Sequence, residues 1–244
     1  MPRNPLFDNA GSPLYIQVAD AVRERIVNGT WEVGGAIPSL KALVQEFDVA
    51  LITVRQAIQV LTREGLLEPE RGRGTFVKGL PPVHPKIPLE SSLNSLGNIY
   101  RTNPPRLKVL QEGSATPKLQ VEDGTPAAAY HYIRRVHLSQ RQANSVISIY
   151  LDERVFNLAP QRFRQELVIP VLLDLPEVRI AKATQRLTIG TAGLDAARVL
   201  DISNHAPVAQ IRRVFCGPDG TVIYVGELVY RGDYIRWDVD LLER

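Results

Sequence analysis

Ala50 to Val77 reads ALITVRQAIQVLTREGLLEPERGRGTFV, and the reading of this stretch decides the N-terminal fold. From Leu51 to Glu64, Val54, Ala57, Ile58 and Leu61 recur at i, i+3, i+4 and i+7, which makes one apolar helix face. Thr53, Arg55, Gln56 and Gln59 occupy the opposite face. Gly65 follows the last apolar turn, where a left-handed C-cap is cheapest. Leu66 and Leu67 then start a strand, Pro69 to Gly74 makes a turn, and Thr75-Phe76-Val77 returns.

A helix docked under a hairpin with a basic tip is the plan of a winged helix-turn-helix. Its helix can enter a major groove while the tip reaches a neighbouring groove or backbone. Working back from this helix, Ser12-Pro13 is a start signal, with Ser as N-cap and Pro in the first turn. Tyr15, Val18, Ala19, Val22 and Ile26 then share a face up to Asn28-Gly29. Pro38-Ser39 is a second start. Ser39 is placed to cap a short helix that buries Leu40, Leu43, Val44 and Phe47, and Asp48-Val49 turns into the third helix.

The 244 residues allow two ordinary domains. Net charge argues little: residues 1–80 hold nine Lys/Arg and nine Asp/Glu, so the overall +3 arises downstream. Placement argues more, since Lys41, Arg55, Arg63, Arg71, Arg73 and Lys78 fall on or beside the proposed reading elements. No apolar run approaches the ~18–20 residues that span a bilayer. MPRNPLFDNAGSP lacks the apolar core of a secretion signal. Cys216 is the single cysteine, which excludes an intrachain disulfide or a thiolate metal cluster and fits a cytoplasmic protein.

PLYIQVADAVRERIVNGTW (13–31) and the run from Gly34 to Val77 resemble the DNA-binding domain of GntR-type bacterial transcription regulators. The resemblance rests on the spacing from Pro38-Ser39 to Thr53-Val54-Arg55, the Glu64-Gly65-Leu66 break and the Gly72-Arg73-Gly74-Thr75-Phe76-Val77 wing. It implies contacts to operator DNA from Ser39, Lys41, Thr53, Arg55, Gln56, Arg71, Gly72 and Arg73. Three positions depart from the family pattern. Lys41 stands where the family usually has arginine, keeping the charge but losing the bidentate fork. Ala50 and Leu51 replace a small hydroxyl residue and an arginine, and Ile52 follows. Such side chains cannot hydrogen-bond base edges, but they can touch thymine methyl groups.

GLPPVHPKIPL (79–89) has four prolines in eleven residues and reads as a stiff linker. It separates a DNA-binding domain, 1–78, from a second domain, 90–244. In the second domain the strand candidates are Lys108–Glu112, Ala127–Leu138, Ser145–Leu151, Arg179–Ile189, Val208–Phe215, Val222–Arg231 and Ile235–Asp240. Gln161–Leu173 and Ala192–Leu200 read as helices, and Pro218-Asp219-Gly220 as a hairpin turn. The class is α+β on an antiparallel sheet. YIRRVHL (132–138), ISIYL (147–151), GLDAARVLDI (193–202), APVAQIRRVF (206–215) and ELVYRGDYIRW (227–237) resemble the UTRA effector domain of the HutC-like GntR branch, whose fold is similar to that of chorismate lyase.

That second resemblance implies a small-molecule pocket and a homodimer with contacts through this domain. It places Arg135 and His137 at the family's arginine pair and Glu227 at a late pocket glutamate, with Tyr150, Tyr224 and Tyr230 as further candidates. Ile147 stands where sugar-phosphate binders often carry a glutamate. An apolar wall with one arginine suits a carboxylate-bearing metabolite better than a polyol phosphate. A chorismate-lyase-like enzyme is the alternative. However, His84, His131, His137 and His205 are scattered without metal-ligand spacing. Neither a Gly-x-Ser-x-Gly elbow nor a phosphate loop occurs. The expectation is a cytoplasmic repressor that needs no cofactor, metal or membrane, has no catalytic residue, and leaves its double-stranded operator when the ligand binds.

Overall fold

The computed structural model describes residues 12–81, 87–88, 92–102, 104–139 and 142–238. The chain divides into two compact units, Met1–Val83 and His84–Arg244. Of the proposed linker, residues 82–86 and 89 lie outside the described residues, as do residues 1–11 of the first domain and 239–240 of the last strand candidate.

The first unit holds α1 (Leu14–Val27), α2 (Leu40–Phe47), α3 (Leu51–Arg63), β1 (Leu67–Glu70) and β2 (Gly74–Val77). Val18, Ala19, Val22 and Ile26 of α1 close on Leu43 and Phe47 of α2 and on Val54, Ala57, Ile58 and Leu61 of α3. Leu66, Leu67 and Val77 complete this core. Burying an aliphatic or aromatic side chain contributes roughly 1.5–3 kcal/mol, so this cluster is what holds the short helices. Ser39 caps α2 by accepting the Ala42 N–H at 3.2 Å, and Gly65 takes the expected positive φ of 76°.

Ser12 does not cap α1. The N-cap is Pro13 with φ −53° and ψ 143°, and no side chain closes that end. The wing turn is also tighter than the sequence suggests. Strand pairing runs to Glu70↔Gly74 and leaves only Arg71 to Arg73 in the turn. Gly72 and Gly74, with φ of 78° and 121°, make that tightness possible. A third extended piece joins the wing, since Gly34 N–H donates to Val77 O at 2.8 Å and Ile37 N–H to Thr75 O at 2.9 Å.

The second unit holds β3 (Ile87–Pro88), α4 (Leu93–Thr102), β4 (Arg106–Ser114), β5 (Thr125–Pro126), β6 (Tyr130–Ser139), β7 (Gln142–Asp152), α5 (Glu153–Phe156), α6 (Pro160–Gln165), α7 (Val168–Asp174), β8 (Lys182–Thr191), α8 (Leu194–Leu200), β9 (Pro207–Cys216), β10 (Thr221–Arg231) and β11 (Ile235–Arg236). The sheet runs β4-β6-β7-β10-β9-β8 and is antiparallel along this path, with β5 adding a short parallel contact to β10. Leu96, Phe156, Phe163, Val168, Ile169, Val171 and Leu172 from α4 to α7 pack on Ile133, Ile147, Ile149, Ile211, Leu228 and neighbours, which makes this the inner face. On the outer face, Leu200 of α8 packs on Val136 and Val146.

Several expectations need correction here. Gln161–Leu173 is two helices, because Glu166 (ψ 172°) and Leu167 (ψ 132°) are extended between them. Pro170 has no N–H for the carbonyl of Glu166, so an uninterrupted helix would lose that bond and clash. The α4 helix was not anticipated. Gly97 inside it weakens the helical signal, yet a Cβ there would lie 2.6 Å from Leu173 Cδ1, so glycine lets α4 pack closely on α7 with Leu173 in its present place. Part of the proposed linker, Ile87–Pro88, pairs in parallel with Ile235–Arg236, the two residues of the last strand candidate that are strand among those described.

Candidate functional site

In the first unit, α3 exposes Leu51, Ile52, Arg55, Gln56 and Gln59, while Thr53 is half-buried. Lys41 on α2 and Arg71, Gly72 and Arg73 on the wing are exposed as well. Ion pairing sorts the cations. Arg23 forks onto Glu64 at 2.8 Å and also pairs with Asp20, which ties α1 to the end of α3. Arg25 pairs with Glu46 and stacks on Trp31 and Phe47. Lys78 pairs with Glu68 at 3.3 Å. Arg73 reaches Glu70 at 2.5 Å and lies over the Phe76 ring. Lys41, Arg55, Arg63 and Arg71 have no acidic partner among the described residues. They are the cations left to meet phosphate, the contact that dominates nucleic-acid affinity. Ser39 spends its lone pair on the α2 cap and keeps a hydroxyl hydrogen to donate.

In the second unit, strand alternation divides the proposed pocket residues. Arg135 pairs in register with Ile147, Ile147 with Leu228, and Leu228 with Ile211, all on the inner face. His137, Tyr224 and Tyr230 share that face. Glu227 lies in another row, Arg134–Ser148–Glu227–Arg212–Arg186, on the outer face. Tyr150 is on the outer side too, its ring 5.0 Å from Tyr132. The six expected effector residues therefore do not form one pocket. Four are together, and Tyr150 and Glu227 are separated from them by the thickness of the sheet.

The inner cluster is closed and cationic. Tyr100, Arg135, His137, Arg213 and Tyr224 meet Ile147, Ile149, Leu167, Val168, Ile169 and Leu228 around a cavity of about 10 Å³, too small for more than one water. Arg135, only 2% exposed, donates Nη1 to the carbonyls of Glu166 at 2.9 Å and Phe163 at 3.5 Å. Burial pulls its pKa down to about 10. Burial also pushes His137 well below its usual 6.5, and the neighbouring Arg135 and Arg213 add to the shift, so its imidazole is neutral. Arg135 Nε and His137 Nε2 are buried without a hydrogen-bond partner among the described residues. A charge without a counterion in low dielectric is costly, so this spot favours an arriving anion.

Arg213 is the member that the sequence reading passed over. It donates Nε to Gln185 Oε1 at 2.7 Å and Nη1 to Tyr100 Oη at 2.9 Å. The signal was present in QIRRVF (210–215). Alternation puts Arg212 and Arg213 on opposite faces, and Arg213 falls between the apolar Ile211 and Phe215.

The outer concavity is larger, about 570 Å³, but its arginines are already paired. Arg134 binds Asp195, Arg212 binds Asp123 at 2.7 Å, and Arg186 binds Glu122 at 3.2 Å. The hydrogen bond from Arg212 holds the Asp123 carboxyl below its usual range. Size alone would favour this concavity; the inner cluster has the uncompensated charge. Among the described residues no cluster of His, Cys, Asp and Glu could hold a metal, and no helix is long and apolar enough to cross a membrane.

A winged helix-turn-helix with unpaired surface cations, on the same chain as an antiparallel-sheet domain, is the architecture of a DNA-binding transcription regulator. Comparison with known proteins agrees. Residues 14–77 match the model for bacterial regulatory proteins of the gntR family, and residues 108–236 match that of the UTRA domain. The chain belongs to the GntR family, in the branch that carries a UTRA domain. It is 27% identical over 231 residues to the transcriptional repressor NagR of Bacillus subtilis, covering 91% of each chain. It is 25% identical over 199 residues to MngR of Escherichia coli, repressor of a mannosyl-D-glycerate transport and metabolism system, covering 81% of this chain and 83% of MngR. In fold it is similar to PhnF from Mycobacterium smegmatis, with a TM-score of 0.50 and 19% identity over 93% of this chain and all of PhnF.

Proposed function

We propose that this protein is a dimeric, cytoplasmic repressor released from its operator by a small anionic metabolite that carries a carboxylate. The observation that carries the reading is the inner cluster. Two buried arginines and a neutral histidine converge on one apolar-walled spot that no carboxylate lines. Hydrogen bonds to a charged group contribute about 1.5–3 kcal/mol each, so a carboxylate bound there is held and oriented. Ile147, Ile149 and Leu228 offer nothing to a polyol. NagR and MngR are repressors, and their likeness over most of the chain supports that role here. An isologous dimer suits a two-fold operator.

DNA contacts are assigned to Lys41, Arg55, Gln56, Arg71 and Gly72, with Ser39, Thr53 and Arg73 beside them. Effector contacts are assigned to Arg135, His137, Tyr224 and Tyr230, and the proline-rich segment couples the two. Coupling requires that the effector bind one arrangement more tightly than the other. Catalysis is disfavoured because the cluster offers no carboxylate or thiol as acid, base or nucleophile.

The test measures binding of the purified protein to duplexes from its own promoter by fluorescence anisotropy, with and without a panel of carboxylates. Release by a carboxylate and a dimer in sedimentation support the proposal. A monomer indifferent to these duplexes at modest ionic strength sinks it, and turnover of any panel compound would revive the enzyme.

A further inference from the structure

Arg213 is nearly as enclosed as Arg135, at 2% exposure, and has no carboxylate within hydrogen-bonding reach among the described residues. Its Nη1 is taken instead by the phenol of Tyr100 at 2.9 Å. That phenol also lies 3.4 Å from the hydroxyl of Tyr230. Tyr100 belongs to α4, the first helix after the proline-rich segment. It is the one polar member of the cluster that comes from a helix; Arg135, His137, Arg213 and Tyr224 all stand on sheet strands.

We propose that the Tyr100 hydroxyl is a built-in competitor of the ligand: it occupies the anion position on Arg213 in the closed state, and an anion binds by displacing it. This rests on reading the inner cluster as the effector site, and it adds Arg213 as a second anchor and α4 as the element that must move. Three observations converge on it. The cavity of about 10 Å³ cannot admit a metabolite unless something leaves. Arg135 Nε and His137 Nε2, buried in the same cluster, have no hydrogen-bond partner among the described residues. And α4 is tied to α7 partly by a surface ion pair, half-exposed Arg101 with Asp174 at 2.6 Å, beside the packing of Leu96 and Gly97. Displacement of Tyr100 would therefore change how α4 docks, at the point where the chain arrives from the DNA-binding unit.

Tyr100→Phe keeps the ring and deletes the competing oxygen. Calorimetric titration of the full chain with inorganic phosphate and with benzoate, at constant ionic strength in chloride, is the test, with Arg135→Gln and the Tyr100→Phe/Arg213→Gln double variant alongside. The expected result is roughly tenfold tighter anion binding by Tyr100→Phe, since one charge-assisted hydrogen bond no longer has to be broken. Arg135→Gln should abolish binding, and the gain should vanish when Arg213 is also replaced. Equal or weaker binding by Tyr100→Phe, with Arg135→Gln still silent, overturns the competitor and leaves the effector site standing. The same gain in the double variant overturns the role of Arg213. Failure of wild type and Tyr100→Phe alike to bind either anion overturns both the competitor and the anion site.

Discussion

Arg135 donates to the carbonyl of Glu166 at 2.9 Å, and Glu166 is the residue whose helical partner would have been Pro170. The proline leaves that carbonyl unpaired and divides what would be one helix into α6 and α7. The buried guanidinium fills the gap. One residue type, fixed in the sequence, thus creates both the break in the helical layer and the acceptor that aims Arg135 into the pocket.

Replacing Arg135 with Gln should leave operator affinity unchanged and remove ligand response. Loss of one charge-assisted contact of about 1.5–3 kcal/mol weakens effector binding at least tenfold. Thermal stability should hold or rise, because an uncompensated buried charge is removed. A wild-type ligand response, measured by anisotropy on operator DNA, would take Arg135 out of the pocket.

Arg55 is exposed on α3 and unpaired among the described residues. Arg55→Ala should lower operator affinity and reduce the slope of log K against log salt by about one. Titrations at several salt concentrations measure both. An unaltered slope together with unaltered affinity would mean that α3 is not the reading helix.

His137 makes stability depend on pH. Its folded-state pKa lies well below 6.5, so the unfolded chain takes up a proton near pH 6.5 that the folded chain refuses. Stability is therefore lost as pH falls below about 6.5, by up to ~1.4 kcal/mol per pH unit. Between pH 7.5 and 5.5 the urea midpoint of wild type should fall further than that of His137→Asn. Parallel declines in the two proteins would show that His137 can be protonated in place.

Gly226 sits under the phenol of Tyr224, where a Cβ would come within 2.2 Å of the hydroxyl oxygen. Because Tyr224 is 3% exposed and the cavity beside it is nearly filled, the ring has nowhere to go. Gly226→Ala should destabilise the second unit by about 1–3 kcal/mol through overpacking and weaken any ligand of the inner cluster. Unfolding monitored by circular dichroism checks the first effect, and a melting curve matching wild type would show that Tyr224 rotates freely.

Much of the molecule is legible without coordinates. Leu43 and Phe47, then Val54, Ala57, Ile58 and Leu61, repeat at helical spacing and are buried as that spacing requires. Gly65 and Gly72 mark positive-φ positions, and the strands of the sheet fall within a few residues of their alternating runs. The misses are as specific. Ser12 fails as a cap because Pro13 is extended. Helix α4 hid behind Gly97, whose value lies in packing rather than propensity. The residues expected to line one pocket stand on two sides of one sheet, and Arg213 and Tyr100 are not among them.

Local rules act over three or four residues, so they settle which side chains share a helix or strand face and where a turn must fall. That much the amino-acid order determined: two units, a reading helix with a wing, and a sheet with two distinct faces. It could not determine which sheet face the helices would close, because α4 to α7 reach it through contacts between residues far apart in the chain. Packing made that choice. By covering one face, it left Arg135 and Arg213 enclosed without a counterion among the described residues, and Glu227 on the open side.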